Sequence, residues 1–421
     1  MRFRNVLAAQ CHGRTFLLPW LWLLLLTNPG LRASPADPAL DPVALNRAPG
    51  PEYGPAQRRF QGIPGIARAP GGRLWATWYS GGTNEGSENY VLLATSDDDG
   101  KSWSDARFVI DPPSPIRAFD AAVWVDPRGR LWWFYAQSYN QWDGRAGVWA
   151  VTTDEPDRPN PRWSPPRRLC DGIMMNKPIV LKQGDWLLPV AAWNRVPTQK
   201  TGPTQVPAEY LHWDPSRAGI HVYRSTDQGA TFELLGTAKG PEFRSEHMIV
   251  ERRDGSLWML VRTNPSMAES VSTDGGRSWS EGKPATIPHV PSRFFIRRLN
   301  SGRLLLVKHN PRLDTIWLTG IRTTTATQQR SHLTAYLSND DGQTWRGGLL
   351  LDERLLSSYP DGDQAPDGTI YIISDFARLK EKEILLARFN EEDVLAGRLV
   401  SPGSRTRFLV NKGLGLNSEA H

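Results

Sequence analysis

One arrangement of apolar and polar positions recurs along the chain: an apolar strand, a turn containing glycine, and a second apolar strand rich in Leu and Trp. The first copy reads Ile63-Pro-Gly-Ile-Ala-Arg-Ala-Pro-Gly-Gly72-Arg-Leu-Trp75 and the second Ala121-Ala-Val-Trp-Val-Asp-Pro-Arg-Gly129-Arg-Leu-Trp-Trp133. It returns around Gly184, Gly255, Gly302 and Gly368. Each copy predicts a β-hairpin whose glycine supplies the positive φ of the turn. The turn glycines lie 57, 55, 71, 47 and 66 residues apart, room for a four-stranded sheet per copy.

A second pattern, Ser-x-Asp-x-Gly-x-Ser/Thr-aromatic, follows several hairpins. It occurs at Ser96 to Trp103, Ser225 to Phe232, Ser272 to Trp279 and Ser338 to Trp345, with a worn copy expected at Thr152-Thr-Asp154 and Trp163 beyond it. Asp and Ser/Thr side chains can bond the turn amides, Gly takes the left-handed corner, and the aromatic packs back on the sheet. Four such turns in register with six hairpins predict a toroid of repeated sheets, an all-β fold.

Composition narrows the picture. The chain has 421 residues, 18 of them Trp, 37 Gly and 34 Pro, a mixture that suits short strands and tight turns. Its net charge of +6 owes four units to Arg2, Arg4, Arg14 and Arg32, which leave 46 basic against 44 acidic residues when set aside. So even a balance offers no phosphate-binding face, and no nucleic-acid partner is expected. Those arginines flank an apolar run from Phe16 to Leu26, and Leu31-Arg32-Ala33 offers a cleavage site. Residues 1–33 therefore read as a signal peptide, with no membrane span after its removal and a secreted or periplasmic location. A Pro-rich leader or linker is expected over residues 34–55, the repeated sheets over 56–410 and a tail over 411–421. Cys11 lies in the expected signal peptide, leaving Cys170 alone and predicted to be a buried structural thiol.

The four Ser-x-Asp turns are Asp-boxes, or BNR repeats, and from roughly Phe60 to Gly397 the chain resembles the sialidase (neuraminidase) superfamily. The resemblance implies a six-bladed β-propeller of four-stranded antiparallel blades, with the boxes on outer turns away from the site.

Innermost strands of a propeller converge on one face of the central channel. Nine positions before each turn glycine stand Ile63, Asp120, Met175, Glu246, Arg293 and Tyr359, with Asn176 and Lys177, candidate substrate ligands, following the third. Glu88, Arg217 and Arg330 lie eight residues before an Asp-box Ser, and Arg262 ends a second strand. These positions predict a ring of arginines with carboxylates and a tyrosine, or else no more than solvated strand ends. Guanidinium forks pair with a carboxylate, and paired acids serve glycosidic cleavage, so the pattern suits an anionic sugar.

The resemblance implies more. Sialidases use a Tyr nucleophile activated by a Glu, the positions of Tyr359 in Ser358-Tyr359-Pro-Asp and Glu246 in Ser245-Glu246-His247. Their three carboxylate-binding arginines match Arg262 and Arg330, but Gly62 stands where the third belongs. Arg293 or Lys177 is the expected substitute, unless the sugar differs. The family's acid, an Asp after the first blade's second strand, is absent from Gly81-Gly-Thr-Asn84-Glu85-Gly-Ser-Glu88-Asn89. Glu85, laid over the channel by flanking glycines, is the first choice, then Glu88 and Asp120. The implied activity is an exo-glycosidase on a glycan's terminal acidic sugar, working by retention and needing neither metal nor cofactor. A uronate lyase using Tyr359 and a His, and a non-catalytic glycan-binding propeller, are the alternatives. The segment from Asn194 to Arg217 is expected to arch over the active face. His247, His309 and His332 are expected to pack rather than bind metal. Trp78, Trp124, Trp133 and Trp193 are expected mainly in blade cores, with one at the rim able to stack on a sugar.

Overall fold

The computed structural model describes residues 37–197, 207–240, 245–264, 266–310 and 330–416. Among them, six four-stranded antiparallel sheets form the blades of a β-propeller, each running outward from its innermost strand in chain order. The innermost strands of blades 1 to 6 are Gln61–Arg68, Ile116–Val125, Ile179–Val180, Ser245–Glu251, Phe295–Arg298 and Ser357–Gln364. All six hairpin glycines adopt positive φ, between 81° and 111°. Most strands are buried on both faces because each blade packs between two neighbours, so they read as continuous apolar runs. Trp78, Trp124 and Trp133 lie inside this packing. Cys170 is buried too, and burial raises its thiol pKa.

The Asp-boxes are joints between blades. In blade 3 the Ser225 hydroxyl donates to Asp227 and accepts from the Gly229 amide, while the Thr231 amide and hydroxyl donate to Asp227. Hydrogen bonds led by the following threonine hydroxyl hold Asp227 and Asp340 at about 2. A Cβ on Gly229 would lie 2.6 Å from the Trp132 and Trp186 rings, so glycine is required there for space as well as for its φ of 85°. The expected worn copy in blade 2 builds no such cradle. There Asp154 pairs with Arg130 at 2.6 Å, and only Trp163 keeps its packing role, edge-on to Trp75.

Among the described residues no strand is exchanged between the first and last blades, so closure falls to side chains and to a few backbone bonds outside the strand ladders, such as the Gln61 amide to the Arg378 carbonyl at 3.4 Å. Asp375, Asp361 and Asp363 of blade 6 accept from the Ile63, Ile66 and Arg68 amides of blade 1 at 2.7, 2.9 and 2.8 Å. Buried Arg58 adds a bond to Asn411 at 2.7 Å.

The described part of the Pro-rich stretch, expected as a leader or linker, packs against the blades, with Asn46 bridging Val109. From Asp37 it makes three short 3-10 turns, buries Ala39 and bonds Asp37 to Arg145 and to His212, the latter at 2.8 Å. The last strand runs to Lys412, and the amides of Gly413, Leu414 and Gly415 bond backward, so the expected tail packs this far. The expected signal peptide lies outside the described residues. No helix among the described residues is long and apolar enough to cross a membrane.

Candidate active site

Four innermost strands carry a β-bulge at the same level. Register advances by three residues on the inner strand and two on its neighbour between Gly62 and Gly65, Phe119 and Ala122, Ser245 and Met248, and Ser358 and Asp361. Within these bulges Ile63, Asp120, Glu246 and Tyr359 have φ of 59°, 46°, 62° and 39°. Each stands nine residues before its turn glycine. A bulge re-aims the side chain it carries, and a left-handed conformation costs a non-glycine residue roughly 1–3 kcal/mol unless neighbours hold it. All four bulge residues line one cavity of about 600 Å³.

Tyr359 and Glu246 meet there. The Tyr359 hydroxyl donates to Glu246 Oε1, and Arg262 Nη1 donates both to that oxygen, at 2.5 Å, and to the phenol oxygen, at 2.6 Å. Burial pushes the phenol up to about 12; Arg262, Arg330 and Arg378 act against the rise. The resting phenol is therefore neutral, with a carboxylate placed to take its proton.

Two further guanidiniums cover the tyrosine ring, Arg330 at 4.9 Å and Arg378 at 4.3 Å from its centroid. Both donate to Ser358 Oγ, at 3.0 and 3.3 Å. Arg378 is also held by Asp375 at 3.0 Å and lies 3.5 Å from Glu85. Arg330 otherwise donates to the Pro291 carbonyl, so both of these acceptors are neutral. Burial lowers its pKa, and the neighbouring Arg378 and Arg262 lower it further.

Arg378 was not singled out in the sequence, yet it stands beside Gly62. A Cβ on Gly62 would lie 2.7 Å from Arg378 Cδ, and Gly62 itself is not in the left-handed region. The glycine leaves room for an arginine arriving from the opposite side of the closure. A signal existed: Arg262 lies seven residues after Gly255, and the same count from Gly368 reaches Asp375, the partner of Arg378.

On the acid side, Asp120 is 3% exposed. Burial, with Glu85 adding to it, pushes its carboxyl up to about 7. Glu85 lines the cavity from a loop braced by Asn89, whose side chain bonds the Gly81 and Asn84 carbonyls and the Gly86 amide. Arg117 in turn holds Asn89 at 3.1 Å. Glu88 is exposed and Arg217 pairs with Asp171 at 3.4 Å; neither lines the cavity.

Three expected substrate ligands are displaced. Arg293, Lys177 and Asn176 are buried beneath the cavity, where their donors go to backbone carbonyls and, for Lys177, to Asp361 at 2.9 Å. Counting from the turn placed them at the right level, but without the bulge their side chains turn into the propeller's interior. Met175 does line the cavity, as does Trp193, which packs beneath the Arg195 guanidinium at 4.2 Å. Of the segment expected to arch over this face, Asn194 and Arg195 line the cavity and residues 198–206 lie outside the described set. His247 and His309 bond backbone carbonyls and His332 bonds Ser331.

The family described as "BNR repeat-like domain" matches over residues 72–372. No curated protein matches the chain. Among solved structures, the Hadza microbial sialidase Hz136 superposes with TM-score 0.60 at 19% identity, covering 83% of this chain and 68% of that one. A protein of unknown function from Dyadobacter fermentans gives 0.57 at 16% identity, over 76% and 92%. Penicillium chrysogenum alpha-L-arabinanase complexed with arabinobiose gives 0.53 at 11%, over 84% and 99%. At these identities the likeness is one of fold.

Proposed function

The chain belongs to the BNR repeat-like domain family, within the sialidase/BNR superfamily, and we propose that it is a secreted or periplasmic exo-glycosidase that releases a terminal acidic sugar, sialic acid or a relative, with retention. The supporting observation is the Tyr359–Glu246 hydrogen bond beneath three guanidiniums. The shared propeller does not choose the sugar, because the arabinanase has it too. The charge pattern supports an acidic one. Glu246 offsets Arg262, Asp375 offsets Arg378, and Arg330 donates to neutral acceptors, so an incoming carboxylate meets a buried positive charge with donors around it.

In the proposed reaction the Tyr359 oxygen attacks the anomeric carbon as its proton passes to Glu246. A neutral nucleophile avoids the repulsion that a carboxylate would feel from an acid sugar, and the adjacent base compensates for a phenol pKa of about 12. Asp120, with a pKa near 7, retains a proton near neutrality and is the proposed donor to the leaving oxygen. Glu85, tied to Arg378, keeps that pKa high by its charge and is the alternative donor. In the second half-reaction water attacks the anomeric carbon of the glycosyl-tyrosine and gives its proton to Asp120, while the departing Tyr359 oxygen recovers its proton from Glu246.

A panel of aryl glycosides of sialic, other ulosonic and uronic acids tests the proposal. Release of the aryl group from an acidic sugar, abolished in Tyr359→Phe, is expected. Turnover of a neutral sugar alone would overturn it, and an unsaturated, ultraviolet-absorbing product would favour a lyase.

A further inference from the structure

Beneath the cavity, one guanidinium joins three blades, two of them at their bulges. Arg293, at the entry to blade 5, is 0% exposed. Its Nε donates to the Pro360 carbonyl at 3.1 Å, Nη1 to the Met175 carbonyl at 3.3 Å and Nη2 to the Pro64 carbonyl at 3.1 Å. Pro360 and Pro64 directly follow Tyr359 and Ile63, the left-handed residues of their bulges. Met175, just ahead of the innermost strand of blade 3, lines the cavity. The arginine's donors therefore seize the chain at three places where the cavity floor is made. Asp361 lies 3.8 Å away and offsets its charge.

A bulge that holds Tyr359 at a φ of 39° relaxes toward extended backbone unless something over-determines it, and relaxation would swing the phenol away from Glu246. Serine and aspartate partners fix the arginines around the ring, but the carbonyl just after Tyr359 is fixed by Arg293. A lysine could not replace it. Three carbonyls in three directions need the planar fork, whereas an ammonium on a flexible stem has no such preset geometry. The guanidinium carbon is 5.9 Å from the Tyr359 ring centroid, and Arg293 does not line the cavity.

We propose that Arg293 is a positioning residue that sets the direction of the Tyr359 phenol through the Pro360 carbonyl, without touching the substrate. The proposal rests on the reading of Tyr359 as nucleophile, but its spectroscopic arm does not need turnover. Arg293→Lys keeps the charge and loses the fork; Arg293→Gln is the second variant. In Arg293→Lys, kcat is expected to fall about 100-fold, the scale of an ångström's misplacement, with KM changed by less than about threefold. With ring-labelled tyrosine, the Tyr359 carbon resonance, identified by its loss in Tyr359→Phe, is expected to move in both variants.

Wild-type kcat in Arg293→Lys together with an unmoved resonance would overturn the proposal. So would a loss confined to KM, which would make Arg293 a substrate ligand, or failure of both variants to fold, which would make it a keystone of the whole propeller. If the wild-type protein turns over no acidic glycoside, the functional reading fails by itself, and the resonance alone decides whether Arg293 orients the phenol.

Discussion

The Arg378 side chain fills the space beside Gly62 in which any Cβ would have to sit, 2.7 Å from its Cδ. An arginine is thus delivered to the tyrosine from the turn after the second strand of blade 6 instead of the first strand of blade 1. Gly62→Ala is expected to displace Arg378 from Ser358 and Asp375. Loss of one charged hydrogen-bond donor corresponds to about a 10- to 100-fold fall in kcat/KM for an acidic substrate, carried mostly by KM. The double variant Gly62→Arg, Arg378→Ala should recover part of it. Unchanged KM in Gly62→Ala would remove Arg378 from the carboxylate site.

Tyr359→Phe and Glu246→Gln test the proton transfer. Removing a general base costs on the order of 10²–10⁴ in rate, so Glu246→Gln should lose that much kcat and Tyr359→Phe at least as much. Trapping of a covalent glycosyl-tyrosine with a fluorinated substrate, followed by peptide mass spectrometry, should place the adduct on Tyr359.

Asp120 imposes a pH limit. If it is the acid, kcat/KM falls as pH rises through about 7, because the donor loses its proton. Its raised pKa has burial as the first cause and Glu85 as the next, with Arg117 acting against them. Glu85→Gln should therefore lower that pKa and move the alkaline limb to lower pH. The same group makes a stability prediction. A carboxyl raised in the folded state contributes stability below its unfolded pKa that is lost as pH climbs through about 7. Asp120→Asn should flatten that slope in thermal melts between pH 4 and pH 7.

Two glycines separate backbone freedom from space. Gly184 has φ of 97° and open surroundings, so Gly184→Ala should cost only the conformational term, roughly 1–2 kcal/mol. Gly229 has φ of 85° and two indole rings against it, and Gly229→Ala should cost about 2–5 kcal/mol, overpacking being added to the same term. Urea unfolding of the two variants gives the comparison, and equal midpoints would dismiss the Asp-box joint between blades 2 and 3.

Much of the site was legible because the bulge keeps a constant distance from the turn. The nine-residue count reached Ile63, Asp120, Glu246 and Tyr359, all of which line the cavity. The same count also reached Arg293, where Phe295–Arg298 pairs without a bulge and the side chain points elsewhere. Register is written in local sequence, whereas side-chain direction at a strand's start depends on whether its neighbour's pairing slips by one residue. That slip leaves no mark in composition.

By itself the amino-acid order determined the six hairpins, their glycine turns and the Asp-boxes. Each is closed within some ten residues, and the short-range chemistry of glycine, aspartate and serine suffices to specify it. Which guanidinium reaches the phenol was decided only by tertiary closure. Asp375 and Arg378 come beside Ile63 and Gly62 because blade 6 docks on blade 1, more than three hundred residues away along the chain. An empty place at one position and a side chain at another become complementary only when folding puts them in the same volume.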